Sequence, residues 1–138
     1  MTVSQAIQRA NSILPGLPSR EDPRNSRWQA IIKVGKFVRI EPEALWEFVE
    51  RWGKHPSEDL RMAIATCLLE HLLQYHFNLL FPRVERLARK SKRFAETLCW
   101  CGKFGQAGEA RNSARLDRLL KERGVLIWHH FSARASRR

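Results

Sequence analysis

The feature that most constrains the fold is a helix, a proline-containing turn and a second helix between Glu43 and Leu73. Apolar residues recur at helical spacing in the first half, Gly53 and Pro56 interrupt the pattern, and the second half is apolar nearly all round. A helix that is apolar on every side must be buried between neighbours, so one such hairpin cannot cover its own apolar surface. We therefore expect similar hairpins to pack against residues 43–73.

Three arginines begin segments of similar composition. Arg27, Arg61 and Arg93 each open an apolar helical stretch, and they are 34 and 32 residues apart. A period of roughly 30 to 40 residues is typical of stacked helical hairpins. The sequence thus predicts an all-α fold, a short α-solenoid of about seven helices in antiparallel hairpins with a right-handed stack.

The residues that favour helix ends give approximate bounds for these helices. Ser4 is the expected N-cap residue of the first helix and Ser57 that of the fourth, because a serine hydroxyl accepts a free backbone N–H of the first turn. Gly35 allows another helix to approach the second closely. Pro82 is expected to begin or bend the fifth helix, since proline lacks the N–H of a helix interior. The predicted helices are 3–14, 26–39, 42–52, 57–75, 79–90, 92–103 and 110–123.

Length and composition indicate one packed domain. The 138 residues are 43% hydrophobic, which predicts a domain over residues 1–131 followed by a disordered basic tail, 132–138. Three cysteines form no disulfide framework, and no N-terminal leader is visible, so we expect a cytoplasmic protein. The longest weakly charged run, 67–81, is shorter than the roughly 18 residues of a membrane span, which predicts no membrane partner.

Positive charge is concentrated in the C-terminal part of the chain. The net charge is +11, with +1 from residues 1–82 and +10 from residues 83–138. Such a field attracts polyanions. The expected ligand is therefore the backbone of nucleic acid, bound without base specificity, and the main alternative is a protein scaffold or adaptor that contacts an acidic protein partner.

The cations expected to bind phosphate form two rows at helical spacing. Each row aligns on one face of a helix, although the first does so only if its helix continues past residue 90. Two solvated helix faces are the alternative interpretation of the same pattern. The first row is Arg83, Arg86, Lys90 and Arg93, and the second is Arg111, Arg115 and Arg118.

The hairpin 43–73 resembles a HEAT repeat. Its first helix is rich in Trp, Leu and Phe, a proline occupies the turn, and Asp59-x-Arg61-x-Ala63 opens an Ala- and Leu-rich second helix. Comparable second helices follow Arg27 and, in degraded form, Arg93. The resemblance spans roughly residues 26–105 and extends to small bacterial HEAT-like proteins without an assigned activity.

This resemblance implies a structural role for two residues and a class of function. In HEAT-like proteins the aspartate and arginine form a polar ladder between neighbouring repeats, a role that falls here to Asp59 and Arg61. The family implies a binding surface and no reaction. Some HEAT-like proteins are DNA alkylation-repair glycosylases, but these are longer, and a glycosylase is kept as a minor alternative.

Only one cluster suggests catalysis or metal binding. It contains Glu70, His71 and His76, but His71 and His76 are one residue further apart than the spacing that places two imidazoles on one helix face. We expect Glu70 to pair with an arginine of the next repeat and His71 to be a hydrogen-bonded interior histidine. Cys99 and Cys101 offer two of the four ligands of a structural zinc and are interpreted as core residues. No catalytic residue, metal or cofactor is predicted.

Overall fold

The computed structural model describes residues 1–16 and 26–125. Over these residues the chain is helical, with seven α-helices and no strand, which confirms the predicted all-α class. The loop before residue 26 and the predicted tail 132–138 lie outside the described residues. The helices are α1 Val3–Ile13, α2 Ser26–Gly35, α3 Pro42–Trp52, α4 58–75, α5 Phe77–Lys90, α6 Lys92–Cys99 and α7 Ala110–Glu122, and a 3₁₀ turn at Gly105–Gly108 precedes α7.

The starts of α1 and α4 are fixed by side-chain capping. The predicted cap at Ser57 is confirmed, because its hydroxyl accepts the backbone N–H of Leu60. The predicted cap at Ser4 is wrong. Thr2 begins α1 instead, and its hydroxyl and the side chain of Gln5 each accept the other residue's backbone N–H.

Three helix bounds differ from the sequence prediction by two or more residues. Helix α5 begins at Phe77 and continues through Pro82, so the proline costs a backbone hydrogen bond without ending the helix. Its start is held by Gln106, whose side chain accepts the N–H of Phe77 and donates to the carbonyl of Tyr75. Helix α2 ends at Gly35 because tighter turns follow it, and α6 ends at Cys99.

The helices pack in a regular order around one core. Helix α1 lies against α2 and α3, α2 against α4, α4 against α3 and α6, and α5 against α6 and α7. The central helix α4 consists of Glu58–Ile64, a π-helical turn at Ala65–Leu69, and Glu70–Tyr75. The largest fully buried side chains include Phe77, Phe81, Phe94, Ile31, Leu45 and Leu68.

The close approach predicted at Gly35 is confirmed. A Cβ atom at this position would lie 2.8 Å from the carbonyl oxygen of Cys67 in the π-helical turn of α4. This contact brings α2 onto α4, and no residue larger than glycine fits without moving backbone. The described helices include none long and apolar enough to span a bilayer.

Candidate functional site

The first predicted basic row is divided between two helices. Helix α5 ends at Lys90, and Ser91 caps α6 by accepting the N–H of Phe94. Arg83, Arg86 and Lys90 therefore stay together, and we call these three residues the α5 row. Arg93 lies in the first turn of α6 and does not continue it.

The α5 row lies opposite acidic residues of α3. The side chains of Glu43, Glu47 and Glu50, called the α3 row, follow i, i+4, i+7 spacing and share one face of α3. A groove of about 650 Å³ separates the α3 row from the α5 row, and Trp46, Leu87 and the cation Lys54 also line it. We call this feature the mixed-charge groove.

One ion pair crosses the mixed-charge groove. Both guanidinium Nη atoms of Arg83 donate to the carboxylate of Glu43, and the Nη2 bond is 3.0 Å long. This hydrogen bonding lowers the pKa of Glu43 and raises that of Arg83. Within the described part of the chain, the other four members of the two rows form no ion pair. Their charged groups therefore line the groove without forming ion pairs across it.

Arg93 belongs to a different cluster, around the turn between α3 and α4. His55 lies in this turn, and its Nδ1 accepts the N–H of Ser57. Burial lowers the pKa of His55, and the positive charges of Arg27, Arg61 and Arg93 lower it further. The three arginines that mark the repeated segments thus act on one imidazole.

The second basic row, on α7, contains both packed and exposed arginines. The Arg115 guanidinium lies 4.4 Å from the ring centroid of Phe81, so its charge stacks on the aromatic core of α5. Arg111 and Arg118 are exposed. Lys121 is exposed as well and falls near them on the helix, although the sequence prediction did not include it. We call Arg111, Arg118 and Lys121 the α7 face.

The carboxylates of α7 are paired outside the α7 face. Asp117 lies 2.6 Å from the ammonium of Lys103, and Glu122 lies 3.3 Å from the guanidinium of Arg89. Arg89 also contacts Glu85 at 3.5 Å. None of the described ion pairs involves the α7 face, so its cations stay available to a ligand.

Asp59 and Arg61 connect α4 to different helices. Trp28 of α2 donates its indole N–H to Asp59 over 3.1 Å. Arg61, which is only 5% exposed, donates to the carbonyl of His55 at 2.9 Å and to Glu96 of α6 at 3.3 Å. Asp59 therefore connects α4 to α2, and Arg61 connects α4 to α6.

The prediction that Glu70 pairs with an arginine is wrong. Its carboxylate accepts the backbone N–H of Gly102 at 2.8 Å and lies 3.6 Å from His71 Nε2. Burial raises the pKa of Glu70, while the Gly102 hydrogen bond and the nearby imidazole oppose that rise. The residues after α6 fold back onto α4, and a backbone N–H takes the place of a cation. A backbone donor carries no side-chain signal in the sequence.

His71 is not the interior residue that the sequence predicted. Its side chain is 41% exposed, its Nδ1 lies 2.9 Å from the amide oxygen of Gln74, and its ring stacks on that of Phe104. His76 faces elsewhere and donates from Nε2 to the carbonyl of Val38 at 2.9 Å. The described residues contain no group of three or more His, Cys, Asp or Glu side chains placed to hold a metal ion.

The cysteines lie in environments that favour the thiol over the thiolate. Burial raises the pKa of Cys99 to about 11 and that of Cys101 well above its ordinary value. Both side chains are buried, and Cys101 donates from Sγ to the carbonyl of Ala65 over 3.6 Å. A protonated thiol is a poor metal ligand and a poor nucleophile, so these residues act in packing.

A family profile matches most of the chain, over residues 17–112, and is described as DUF6869, a family of unknown function. The chain belongs to this family. The mixed-charge groove and the Arg61 contacts lie inside the DUF6869 match, whereas Arg118 and Lys121 lie beyond it. Neither a curated protein nor a solved structure matches the chain.

Proposed function

We propose that this DUF6869 protein is a non-catalytic, HEAT-like binding module that holds the phosphate backbone of nucleic acid on its α7 face. The observation that supports this proposal is the exposure of the three cations of the α7 face. Arg111 and Arg118 are seven residues apart, which is about 10 Å along the helix axis, and Lys121 extends the row. Their charges are exposed, and the two carboxylates of α7, Asp117 and Glu122, are already paired to Lys103 and Arg89.

The HEAT-like part of the proposal is supported by which helices touch. Helices α2, α4 and α6 contact one another in sequence order, and α1 lies against α3. Arg83 and Glu43 join α3 to α5. This order supports hairpins stacked in two layers. Asp59 and Arg61 also connect α4 to its neighbours, although their partners are Trp28 and Glu96 and not the aspartate and arginine of a HEAT ladder.

Phosphate binding follows from the kind of charge on the α7 face. Exposed lysine and arginine side chains bind polyanions mainly by releasing condensed counterions, which gives affinity without base specificity. The cytoplasmic location predicted from the cysteine count remains part of this proposal. The glycosylase alternative gains no support from Glu70, because its carboxylate is engaged by Gly102 and His71.

The test is binding of a labelled duplex and a labelled single strand at several salt concentrations. We expect micromolar affinity at about 50 mM salt, and log K should fall with log salt at a slope of magnitude near 3 or more on duplex, since each neutralised phosphate contributes about 0.9. The double variant Arg111→Gln/Arg118→Gln should reduce that magnitude by about 2, because it removes two phosphate contacts.

Two double variants with the same change in net charge serve as controls. Arg9→Gln/Lys36→Gln removes exposed cations from the N-terminal part, and Arg86→Gln/Lys90→Gln removes cations of the α5 row. Both should leave the salt slope within about half a unit of the natural protein. An absence of binding at tens of micromolar protein in low salt would reject nucleic acid and favour the acidic protein partner. An equal loss in all three variants would reject the α7 face.

A further inference from the structure

The mixed-charge groove has a chemistry that nucleic acid does not match. Its α5 row is basic and its α3 row is acidic, so a phosphate chain lying along Arg86 and Lys90 would also lie beside Glu47 and Glu50. Like charges placed together across an interface cost binding free energy. A polyamine is positively charged and would be repelled by the α5 row. A ligand of one charge sign is therefore disfavoured.

The charges of the groove are also unsatisfied by one another. Among the described residues, Arg83 and Glu43 form the one ion pair across it, and the charge of Glu50 also acts on Arg83. The other charged residues that line the groove form no ion pair with any described residue, and they are Glu47, Arg86, Lys90 and Lys54 at the end of the acidic side. A ligand between the rows can complete both sets of contacts. It needs cations along the edge that meets α3 and carboxylates along the edge that meets α5.

The spacing of the rows matches a helical partner. Glu47 and Glu50 are three residues apart and Arg86 and Lys90 are four apart, which correspond to rises of about 4.5 and 6 Å. One turn of a partner helix rises about 5.4 Å, so charged residues one turn apart fall into register with both rows. Trp46 and Leu87, both largely buried, give the groove a narrow apolar floor for the seam of such a helix.

We propose that the mixed-charge groove between α3 and α5 binds an amphipathic helix of another protein that carries a basic edge, an apolar seam and an acidic edge. The little apolar area in the floor means that the charge pairs decide which helix binds. This site is separate from the α7 face, so the two activities can be tested independently.

The test uses three labelled helical peptides with the same leucine seam and three forms of the full chain. The peptides carry mixed edges, two acidic edges or two basic edges. The proteins are the natural chain, Glu47→Lys/Glu50→Lys, which leaves Glu43 as the one acid of a mainly basic groove, and Arg86→Glu/Lys90→Glu, which leaves Arg83 and Lys54 as the bases of a mainly acidic groove. Binding is measured by fluorescence anisotropy at about 150 mM salt.

We expect each groove to prefer one peptide by at least about tenfold, the size of a few well-placed charge pairs. The natural protein should prefer the mixed peptide, the basic groove the acidic peptide, and the acidic groove the basic peptide. Arg111→Gln/Arg118→Gln should leave the mixed-peptide affinity within about twofold. If the natural protein binds the acidic peptide as tightly as the mixed one, or if neither reversal changes the preferred peptide, the proposal is overturned.

Two further measurements address other occupants of the groove. Sedimentation of the natural chain and the two reversal variants tests whether a second copy of the chain occupies the groove. Self-association that both reversals abolish would overturn the proposal. Nucleic-acid affinity that falls more in Arg86→Gln/Lys90→Gln than in Arg111→Gln/Arg118→Gln, two pairs with the same change in net charge, would also overturn it. Because these side chains are on the surface, the variants should fold, and circular dichroism checks this.

The milder pairs Glu47→Gln/Glu50→Gln and Arg86→Gln/Lys90→Gln should each weaken binding of the mixed peptide at least about threefold. Unchanged affinity in both pairs would reject the groove.

Discussion

The basic rows of α5 and α7 have nearly the same spacing in the sequence but different surroundings in the fold. The α5 row lies across a groove from three glutamates, whereas the α7 face carries its charge into solvent. Helical spacing determines which residues share a face. The charge opposite that face comes from another helix, about forty residues away in the chain. The sign pattern of a single helix therefore indicates a basic row but not its ligand.

Packed and exposed arginines also differ within α7, and replacing the packed one, Arg115, should have the largest effect on stability that we expect. Arg115 stacks on Phe81, so Arg115→Gln loses a cation–π contact of about 1 to 2 kcal/mol. For a chain of this size the melting temperature should fall by roughly 3 to 6 °C. Arg118→Gln, at an exposed position on the same helix, should stay within about 0.5 kcal/mol of the natural protein.

Thermal melts of these two variants and salt-dependent binding to duplex DNA together check the assignment. Arg115→Gln should lower stability while changing the salt slope little, and Arg118→Gln should do the reverse. Equal melting temperatures would show that Arg115 is one more solvated cation, in which case the contrast between Arg115 and the α7 face disappears.

Arg93 provides a second, smaller test, because the sequence placed it in the α5 row and the structure places it near His55. The pKa of His55 is lowered first by burial and then by the charges of Arg27, Arg61 and Arg93. Arg93→Gln removes one positive charge, so the imidazolium should form more easily and the pKa of His55 should rise. Nuclear magnetic resonance titration of the His55 ring protons measures this change.

The matched control for this titration is Arg86→Gln, which removes an arginine of the α5 row. It should leave the His55 titration where it is in the natural protein, because the charges that lower the pKa of His55 are those of Arg27, Arg61 and Arg93. A shift of the same size in both variants would mean that the general positive field acts on His55, and that Arg93 has no special position beside it.

The helices and their close contacts were predictable where the signal is local. The cap at Ser57 and the need for glycine at Gly35 follow from backbone chemistry that a few neighbouring residues express. The choice of Thr2 over Ser4 as the first cap was not predicted, since both hydroxyls precede an apolar helical pattern. Pro82 was given too much weight, because the bond that it loses is outweighed by the packing of Phe77 and Phe81 in the core.

The partners of polar residues were predicted less well than the helices. Glu70 and His71 are adjacent in the sequence, and their environments depend on the loop after α6, which brings Gly102 and Phe104 against α4. A backbone N–H and an exposed aromatic ring have no periodic pattern that identifies them in advance. The same limit hid the α3 row, whose glutamates gain their significance only from the helix packed beside them.

The smallest effect that we expect concerns the ion pair that crosses the mixed-charge groove. Hydrogen bonding from Arg83 lowers the pKa of Glu43 in the folded protein below its unfolded value. A carboxyl group with a lowered folded pKa stabilises the fold above the unfolded pKa, and this contribution is lost as the pH falls through the folded value. Arg83→Gln should therefore reduce the melting temperature slightly near neutral pH and less as the pH falls below about 4.5. In a Glu43→Gln background the same substitution should show a smaller pH dependence, which comes from Glu50, whose charge also acts on Arg83. In the natural background, a difference that stays constant from pH 7 to pH 3 would mean that the pair across the groove contributes nothing through its charge.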